Sequence, residues 1–134
     1  MILNISEAAN LALHAMSYLA DNKEPGPVAA ATVTEVFGIS KDHLNKVFQR
    51  LKKAGLVNSV RGPKGGYSLA RDTKDITLLE IYETMDGPLS KGFCLMKLPA
   101  CSRGKCIFGT LISDIHNQVH SHFATTTLAD LILD

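Results

Sequence analysis

The fold is decided by residues 39–71, which read ISKDHLNKVFQRLKKAGLVNSVRGPKGGYSLAR. Ser40 is a typical N-cap residue, and Gly55 ends the helix that begins after it. The apolar side chains between them recur at the spacing of one helix face: Leu44, Val47, Phe48 and Leu51. Two short apolar segments, 56–60 and 67–70, then flank a turn rich in Gly and Pro. The stretch therefore predicts a helix followed by a β-hairpin.

The same stretch concentrates the positive charge of the chain. It holds eight of the fourteen Lys and Arg but one of the thirteen Asp and Glu, so its formal charge is +7. The other residues together carry −6, and the net charge of +1 hides this polarity. Basic charge confined to a helix and an adjoining hairpin is typical of nucleic-acid-binding proteins.

Helices are predicted on both sides of this stretch. Ser6 caps a first helix, and residues 28–37 form a second helix that Gly38 ends. Thr77–Leu78–Leu79–Glu80 has the pattern of a capping box, which opens a fourth helix that ends at Gly87. A fifth helix is indicated by apolar residues at helical spacing: Ile107, Leu111, Ile112, Ile115, Val119 and Phe123. Two short helices followed by a hairpin make a winged helix-turn-helix, so the predicted fold is mainly α with a small β-hairpin.

The third helix has a polar face that suits the major groove of DNA. Opposite its apolar stripe lie Asp42, Lys46, Gln49 and Lys53, flanked by Asn45 and Arg50. In the hairpin, Gly62, Gly65 and Gly66 let the backbone approach a phosphate closely. Arg61 can enter a narrow minor groove. An ordinary solvated helix face is the alternative interpretation, but it does not account for the hairpin.

Length and composition argue against several other classes. The chain has 134 residues and an apolar fraction of 46%, which is enough for one domain with a core. No apolar run is long enough for a membrane span, and the N-terminus lacks the layout of a signal peptide. We therefore expect a cytoplasmic protein that does not contact membranes. We expect no enzyme, because no nucleophile–base pair and no paired carboxylates in a loop are visible.

At this point the residues resemble a known family. The shared positions are the segments 39–40, 54–57, 59–62, 65–67, 69–70, 76–77 and 127–131, with Leu44 and Leu51. They resemble the bacterial winged-helix regulators of the IscR/NsrR/CymR type, and the Arg-Gly-x-x-Gly-Gly-Tyr hairpin is the most specific element. The resemblance implies a homodimeric transcription regulator that binds double-stranded DNA at a palindromic operator. It also implies base contacts by Asp42, His43 and Asn45 and a minor-groove contact by Arg61.

From the charge pattern and the resemblance together, the predicted DNA-binding residues are Ser40, Lys41, Asp42, His43, Asn45, Lys46, Arg50, Arg61, Lys64, Gly65 and Gly66. The fifth helix supports a dimer independently, because a small winged-helix domain has few surfaces left to cover its apolar stripe. Packing within one chain is the alternative. A two-fold dimer would place two recognition helices about one turn of DNA apart.

Three cysteines, Cys94, Cys101 and Cys106, lie in a segment rich in small residues and cations. Neighbouring cations favour the thiolate, which is both a metal ligand and a redox nucleophile. Soft thiolates select iron–sulfur clusters or zinc. An odd number of closely spaced cysteines argues against a secreted disulfide framework. The alternative is that the cysteines are small apolar fillers.

The resemblance implies an iron–sulfur cluster on these three cysteines, with 2Fe–2S as the expected form. Their spacing, six and then four residues, departs from the more even spacing of cluster-binding members. The fourth ligand is also open, because Gly109 stands where some members have His. Other members supply an acidic or His ligand from the first helix of the partner subunit, which makes His14 and Glu7 the candidates here. His116 and His120 have the i, i+4 spacing of a metal pair, although a solvated helix face explains them as well.

The leading hypothesis is therefore a DNA-binding regulator whose affinity is controlled by an iron–sulfur cluster that senses redox state, nitric oxide or iron. The alternatives are the same regulator with a thiol-redox, zinc or partner-protein switch, and an iron–sulfur carrier. The predicted organisation is a DNA-binding domain at 1–90, a cysteine-bearing sensor loop at 91–106, and a dimerisation helix with a C-terminal segment at 107–134.

Overall fold

The structure, a computed structural model, describes residues 4–89 and 106–133. Its helices and strands are α1 (Glu7–Asp21), α2 (Ala30–Phe37), α3 (Lys41–Lys53), β1 (Val57–Val60), β2 (Gly66–Leu69), α4 (Leu78–Asp86) and α5 (Leu111–Thr125). Short 3-10 turns occupy Thr73–Asp75 and Leu128–Leu131. None of the helices in these ranges has both the length and the apolarity to cross a bilayer. The order of helices around one antiparallel hairpin confirms the predicted winged helix-turn-helix.

The core lies between α1, α3, α4 and the base of the hairpin. Its largest fully buried side chains are Phe48, Met16, Leu44, Leu51, Leu56, Ile76, Ile81 and Leu128. The four apolar residues predicted to form the inner face of α3 are all buried, each at most 2% exposed. Burial of this stripe fixes the rotation of α3 about its axis, so the opposite, polar face of the helix is turned to solvent.

Three helices begin at the residues that the sequence predicted as N-caps. The hydroxyl groups of Ser6, Ser40 and Thr77 each accept a hydrogen bond from a backbone N–H of the next turn, at 3.0–3.1 Å. The Glu80 carboxylate, which was predicted to complete the capping box at Thr77, has another partner. The Glu80 carboxylate pairs with the Arg71 guanidinium at 2.7 Å, which ties the start of α4 to the end of the hairpin.

Two helix boundaries differ from the sequence prediction. α2 begins at Ala30 rather than at residue 28, because the backbone of Val28 pairs with that of Tyr67 in both directions, each hydrogen bond 2.8 Å long. Val28 therefore extends the sheet instead of the helix. α5 begins at Leu111 rather than at Ile107, because residues 107–110 form turns before it.

Candidate nucleic-acid interface and cysteine segment

α3 carries its polar residues on the surface. The exposed side chains are Lys41, Asp42, Lys46, Gln49, Arg50, Lys52 and Lys53, whereas His43 and Asn45 are half-buried. Ser40 has a second role beside any contact with DNA, because its hydroxyl caps the helix at the N–H of His43. Of the α3 residues predicted to contact DNA, the structure thus exposes Lys41, Asp42, Lys46 and Arg50 and leaves His43 and Asn45 half-buried.

The hairpin stands beside the N-terminal half of α3. Its turn is closed by the Gly65 N–H, which donates to the Gly62 carbonyl oxygen at 2.9 Å, and the turn exposes Arg61 and Lys64. A cleft of about 470 Å³ separates the hairpin from α2 and α3. Its polar lining includes Thr34, Lys41, Asn45, Ser59 and Arg61. Of the predicted contacts, Lys41 and Asn45 of α3 therefore line the same cleft as Arg61 of the hairpin.

Gly65 and Gly66 have an internal reason to be glycines. A Cβ on Gly65 would overlap the backbone carbonyl of Val60, and one on Gly66 would overlap the backbone carbonyl of Val28. The sequence suggested that these glycines serve a close approach to phosphate. The structure adds that they are required for the close approach of the hairpin to its own chain.

Five cations of the basic stretch make no hydrogen bond or ion pair within the part of the chain that the structure describes: Lys41, Lys46, Lys53, Arg61 and Lys64. We call them the basic surface. By contrast, Lys52 donates to the Ser59 hydroxyl at 2.8 Å, and Arg71 pairs with Glu80. The +7 charge of the stretch thus divides into cations that hold the fold together and cations left for an external anion.

Arg50 belongs with the cations that hold the fold together. Its guanidinium donates to the backbone carbonyl oxygens of Thr84 and Met85, at 3.1 and 2.7 Å. A cation at the carboxyl end of a helix satisfies carbonyl groups that have no partner within the helix and interacts favourably with the helix dipole. The sequence placed Arg50 among the DNA contacts, but the structure directs its guanidinium to α4.

Tyr67 also belongs to this site, although the sequence indicated it only as part of a strand and of the hairpin motif. Its ring stacks on Phe48 with the centroids 4.3 Å apart, and its hydroxyl donates to Oδ1 of Asn45 at 2.9 Å. Burial raises the pKa of Tyr67 above its ordinary value of 10.0, so the hydroxyl remains a donor at neutral pH. The aromatic residue after two glycines was visible in the sequence, but its partner on α3 was not.

Of the three cysteines, Cys94 and Cys101 lie outside the described residues. Cys106 is exposed just before α5, and its Sγ accepts from the N–H of Phe108 at 3.4 Å. Glu7 and His14 share one face of α1 and line a shallow pocket with His43. Within residues 4–89 and 106–133, no group of three or more His, Cys, Asp or Glu residues is arranged to hold a metal ion.

The histidines of α5 lie close to each other. The rings of His116 and His120 are nearly parallel, with centroids 6.2 Å apart, and His122 contacts Phe123 on another side of the helix. His116 is half-buried, whereas His120 is exposed. In the described residues, no third metal-binding side chain joins this pair.

Comparison with known proteins agrees with this geometry. The sequence profile of the Rrf2 family, described as an iron-dependent transcriptional regulator, matches residues 5–134. The HTH-type transcriptional regulator IscR of Escherichia coli (strain K12 / DH10B) is 34% identical over 130 residues, which cover 97% of this chain and 80% of that protein.

Two solved structures have the same fold. CymR, the global cysteine regulator of B. subtilis, superposes with a TM-score of 0.80 at 30% identity, over 96% of this chain and 95% of that one. The oxidized form of Staphylococcus aureus CymR gives a TM-score of 0.77 at 26% identity, over 98% and 99% of the two chains. The exposed basic helix, the hairpin beside it and these matches over nearly the whole length together show that the chain belongs to the Rrf2 family of winged helix-turn-helix transcription regulators, and not to a class of enzymes.

Proposed function

We propose that this chain is a cytoplasmic, homodimeric, sequence-specific DNA-binding regulator. Its affinity for DNA is set by an iron–sulfur cluster, expected as 2Fe–2S, on Cys94, Cys101 and Cys106. The observation that carries the DNA-binding half of this proposal is the basic surface, because cations on one exposed face beside a cleft are the arrangement that binds phosphates. The cluster half rests on the three cysteines, on the resemblance to cluster-binding regulators and on the description of the family as iron-dependent.

On DNA, α3 lies in the major groove and the hairpin follows the adjacent backbone. The predicted base contacts are Asp42, His43 and Asn45, near the N-terminus of α3, as in helix-turn-helix proteins generally. Arg61 enters the minor groove, while Lys41, Lys46 and Lys64 neutralise phosphates. Gly65 allows the close approach to Val60 within the hairpin, and Gly66 allows the hairpin to approach Val28 just before α2, so that the turn that carries Arg61 and Lys64 is held in place.

The dimer is proposed from apolar side chains left in solvent at the start of α5. Ile107 is 91% exposed and Leu111 is 51% exposed, and Phe108 between them is 41% exposed. Exposed apolar groups of this size at adjoining positions are typical of a protein–protein contact. A two-fold axis near α5 would pair them and would present two copies of α3 to a palindromic operator.

The donor set fits an iron–sulfur cluster, provided that one further ligand joins the three thiolates. Cys106 is exposed and already accepts an amide hydrogen bond at its sulfur, as a thiolate ligand does. Glu7 and His14 are the candidates for the fourth ligand, and both are available on the surface of α1. When bound, the cluster supplies reversible redox chemistry and reactivity toward small oxidants.

The contacts of α4 connect α3 to the start of the cysteine-bearing loop predicted at 91–106. The segment follows Leu89, whose N–H donates to the Glu83 carboxylate at 3.3 Å. Just before it, the Asp86 carboxylate accepts from the N–H and the hydroxyl of Ser6, and Arg50 of α3 holds the last carbonyls of α4. A change at the cysteines that moves the end of α4 is therefore transmitted to α3 by Arg50. Coupling of this kind needs a difference in DNA affinity of about 1–3 kcal/mol between the two states.

The test is anaerobic purification of the wild type and of the Cys94→Ser, Cys101→Ser and Cys106→Ser variants. We expect visible absorption, with iron and sulfide near one cluster per protomer in the wild type, and their loss in each variant. Binding to DNA should then differ between cluster-loaded and cluster-free protein. Iron-free, colourless wild-type protein that still binds DNA tightly would rule out the cluster and leave the DNA-binding proposal intact.

A thiol switch is the second candidate, and two observations favour it. The CymR structures share the fold, one of them in an oxidized form, and Cys106 is exposed. In this case a disulfide between Cys101 and Cys106 would change DNA affinity without iron. Mass spectrometry after mild oxidation separates the two candidates, because a disulfide lowers the mass by two hydrogens and holds no metal.

A further inference from the structure

One of the polar contacts between the hairpin and α3 involves a predicted base-reading residue, Asn45. The Tyr67 hydroxyl donates to Oδ1 of Asn45 at 2.9 Å, and both residues line the cleft between hairpin and helix. Asn45 is half-buried and lies between Lys41 and Lys46 on α3. The Asn45 side chain, which the sequence predicts to contact a base, thus already accepts a hydrogen bond from Tyr67.

Tyr67 is itself held firmly. Its ring stacks on the buried Phe48 at an interplanar angle of 28°, and its backbone pairs with Val28 through two hydrogen bonds of 2.8 Å. Gly66, immediately before it, leaves no room for a side chain against the Val28 carbonyl. The hydroxyl therefore occupies a fixed position relative to α3, and it can orient a neighbour at little cost in conformational entropy.

An asparagine amide has one acceptor oxygen and one donor NH₂ group, which point in different directions. A phenol is a better donor than acceptor, so the Tyr67 hydroxyl selects the amide orientation in which Oδ1 faces it. The Nδ2 group of Asn45 is then turned away from Tyr67. Reading adenine through two hydrogen bonds needs both the oxygen and the NH₂ of the amide, whereas guanine offers two acceptors to a donor.

We propose that Tyr67 determines specificity by positioning Asn45: its hydroxyl holds Oδ1, so that the Asn45 amide meets the DNA as a donor and prefers guanine to adenine. This proposal rests on the DNA-binding function proposed above. Tyr67 does not touch the base in this arrangement, and it acts through Asn45.

The test is selection of bound sequences from a randomised duplex library with the full-length wild type, Tyr67→Phe, Asn45→Ala and the double variant. Tyr67→Phe keeps the ring on Phe48 and removes only the hydroxyl. We expect its preference to shift from guanine toward adenine by about fivefold or more, at one position of each half-site. Asn45→Ala should lose preference at that same position, and the double variant should match Asn45→Ala.

Tyr82→Phe is the matched control. The Tyr82 hydroxyl is also part-buried and donates to a backbone carbonyl, that of Asn4, at 2.9 Å, far from the hairpin. Its removal should leave every base preference unchanged. The proposal is overturned if Tyr67→Phe selects the same sequence as the wild type, or if it weakens binding to all sequences equally. It is also overturned if Asn45→Ala changes the base preference at no position. If the wild type itself enriches no sequence, the DNA-binding proposal fails first and this one fails with it.

Discussion

At the residue scale, the position of the hairpin depends on contacts that Gly66 and Tyr67 make with Val28. The backbone hydrogen bonds between Val28 and Tyr67 form an isolated β-bridge beside the two-stranded sheet, and Gly66 allows the two backbones to approach. The motif Gly-Gly-Tyr thus serves the packing of the hairpin as much as any contact with DNA. Such a role was not visible in the sequence, because Val28 lies far from the motif along the chain and reads as helical.

Gly66→Ala should lower the free energy of unfolding by about 1–3 kcal/mol, because the added methyl group overlaps the Val28 carbonyl oxygen. Hydrogen exchange should show faster exchange at the amides of Val28 and Tyr67. Gly62→Ala is the control, since its Cβ would have nothing within 4 Å and would bring backbone strain alone. Unchanged protection of the two amides in Gly66→Ala would show that the contact does not hold the hairpin.

At the element scale, the helix starts that carry an N-cap hydroxyl were predictable, whereas the starts of α2 and α5 and the contacts between helices were not. An N-cap acts on the N–H groups of its own first turn, so Ser6, Ser40 and Thr77 could be identified from local sequence. The contact of Arg50 with α4 was not visible in the sequence, because its partner, the carbonyl of Thr84, is 34 residues away. The periodicity of α3 was enough to predict which residues are buried, but it did not show which exposed cations have partners in the chain.

Arg50→Ala should destabilise the protein by about 1–3 kcal/mol, because two carbonyl oxygens at the end of α4 lose a charged donor. It should also reduce the difference in DNA affinity between cluster-loaded and cluster-free protein, if α4 transmits the state of the cysteines. Chemical denaturation and DNA titration of both forms measure these effects. The control is Lys53→Ala, which removes the same charge from α3 but no contact in the described structure. Equal stability of the two variants would contradict the role given to Arg50.

At the scale of the whole molecule, charge and apolar exposure are separated. The basic surface is confined to α3 and the hairpin, while exposed apolar groups gather where α5 begins, at Ile107, Phe108 and Leu111. The charge pattern predicted the first feature. For the second, helical spacing predicted an uncovered apolar stripe along α5, of which Ile107 and Leu111 are exposed but Ile112 is buried. It could not show that residues 107–110 stand outside α5, because turn and helix residues of equal hydropathy look alike in a periodic pattern.

Leu111→Lys should shift the protein from dimer to monomer in sedimentation experiments, because it places a charge in the proposed contact between α5 helices. The fold should survive, since Leu111 is 51% exposed in the single chain. Val36→Lys adds the same charge at a position 53% exposed on α2, and it should leave the oligomeric state unchanged. If the Leu111→Lys protein remains dimeric, the dimer contact does not lie at the start of α5.

The central claim is that the basic surface binds DNA, and the salt dependence of affinity for a selected duplex tests it most directly. Each phosphate neutralised by a cation contributes about −0.9 to the slope of log K against log salt. Lys64→Ala should flatten this slope by about one unit per protomer. Arg61→Ala should weaken binding to the selected duplex by about 1–3 kcal/mol. Lys74→Ala, outside the basic surface, is the control. A steep slope that falls in Lys64→Ala but not in Lys74→Ala is the result we predict, whereas a slope equal in all these proteins would contradict the account.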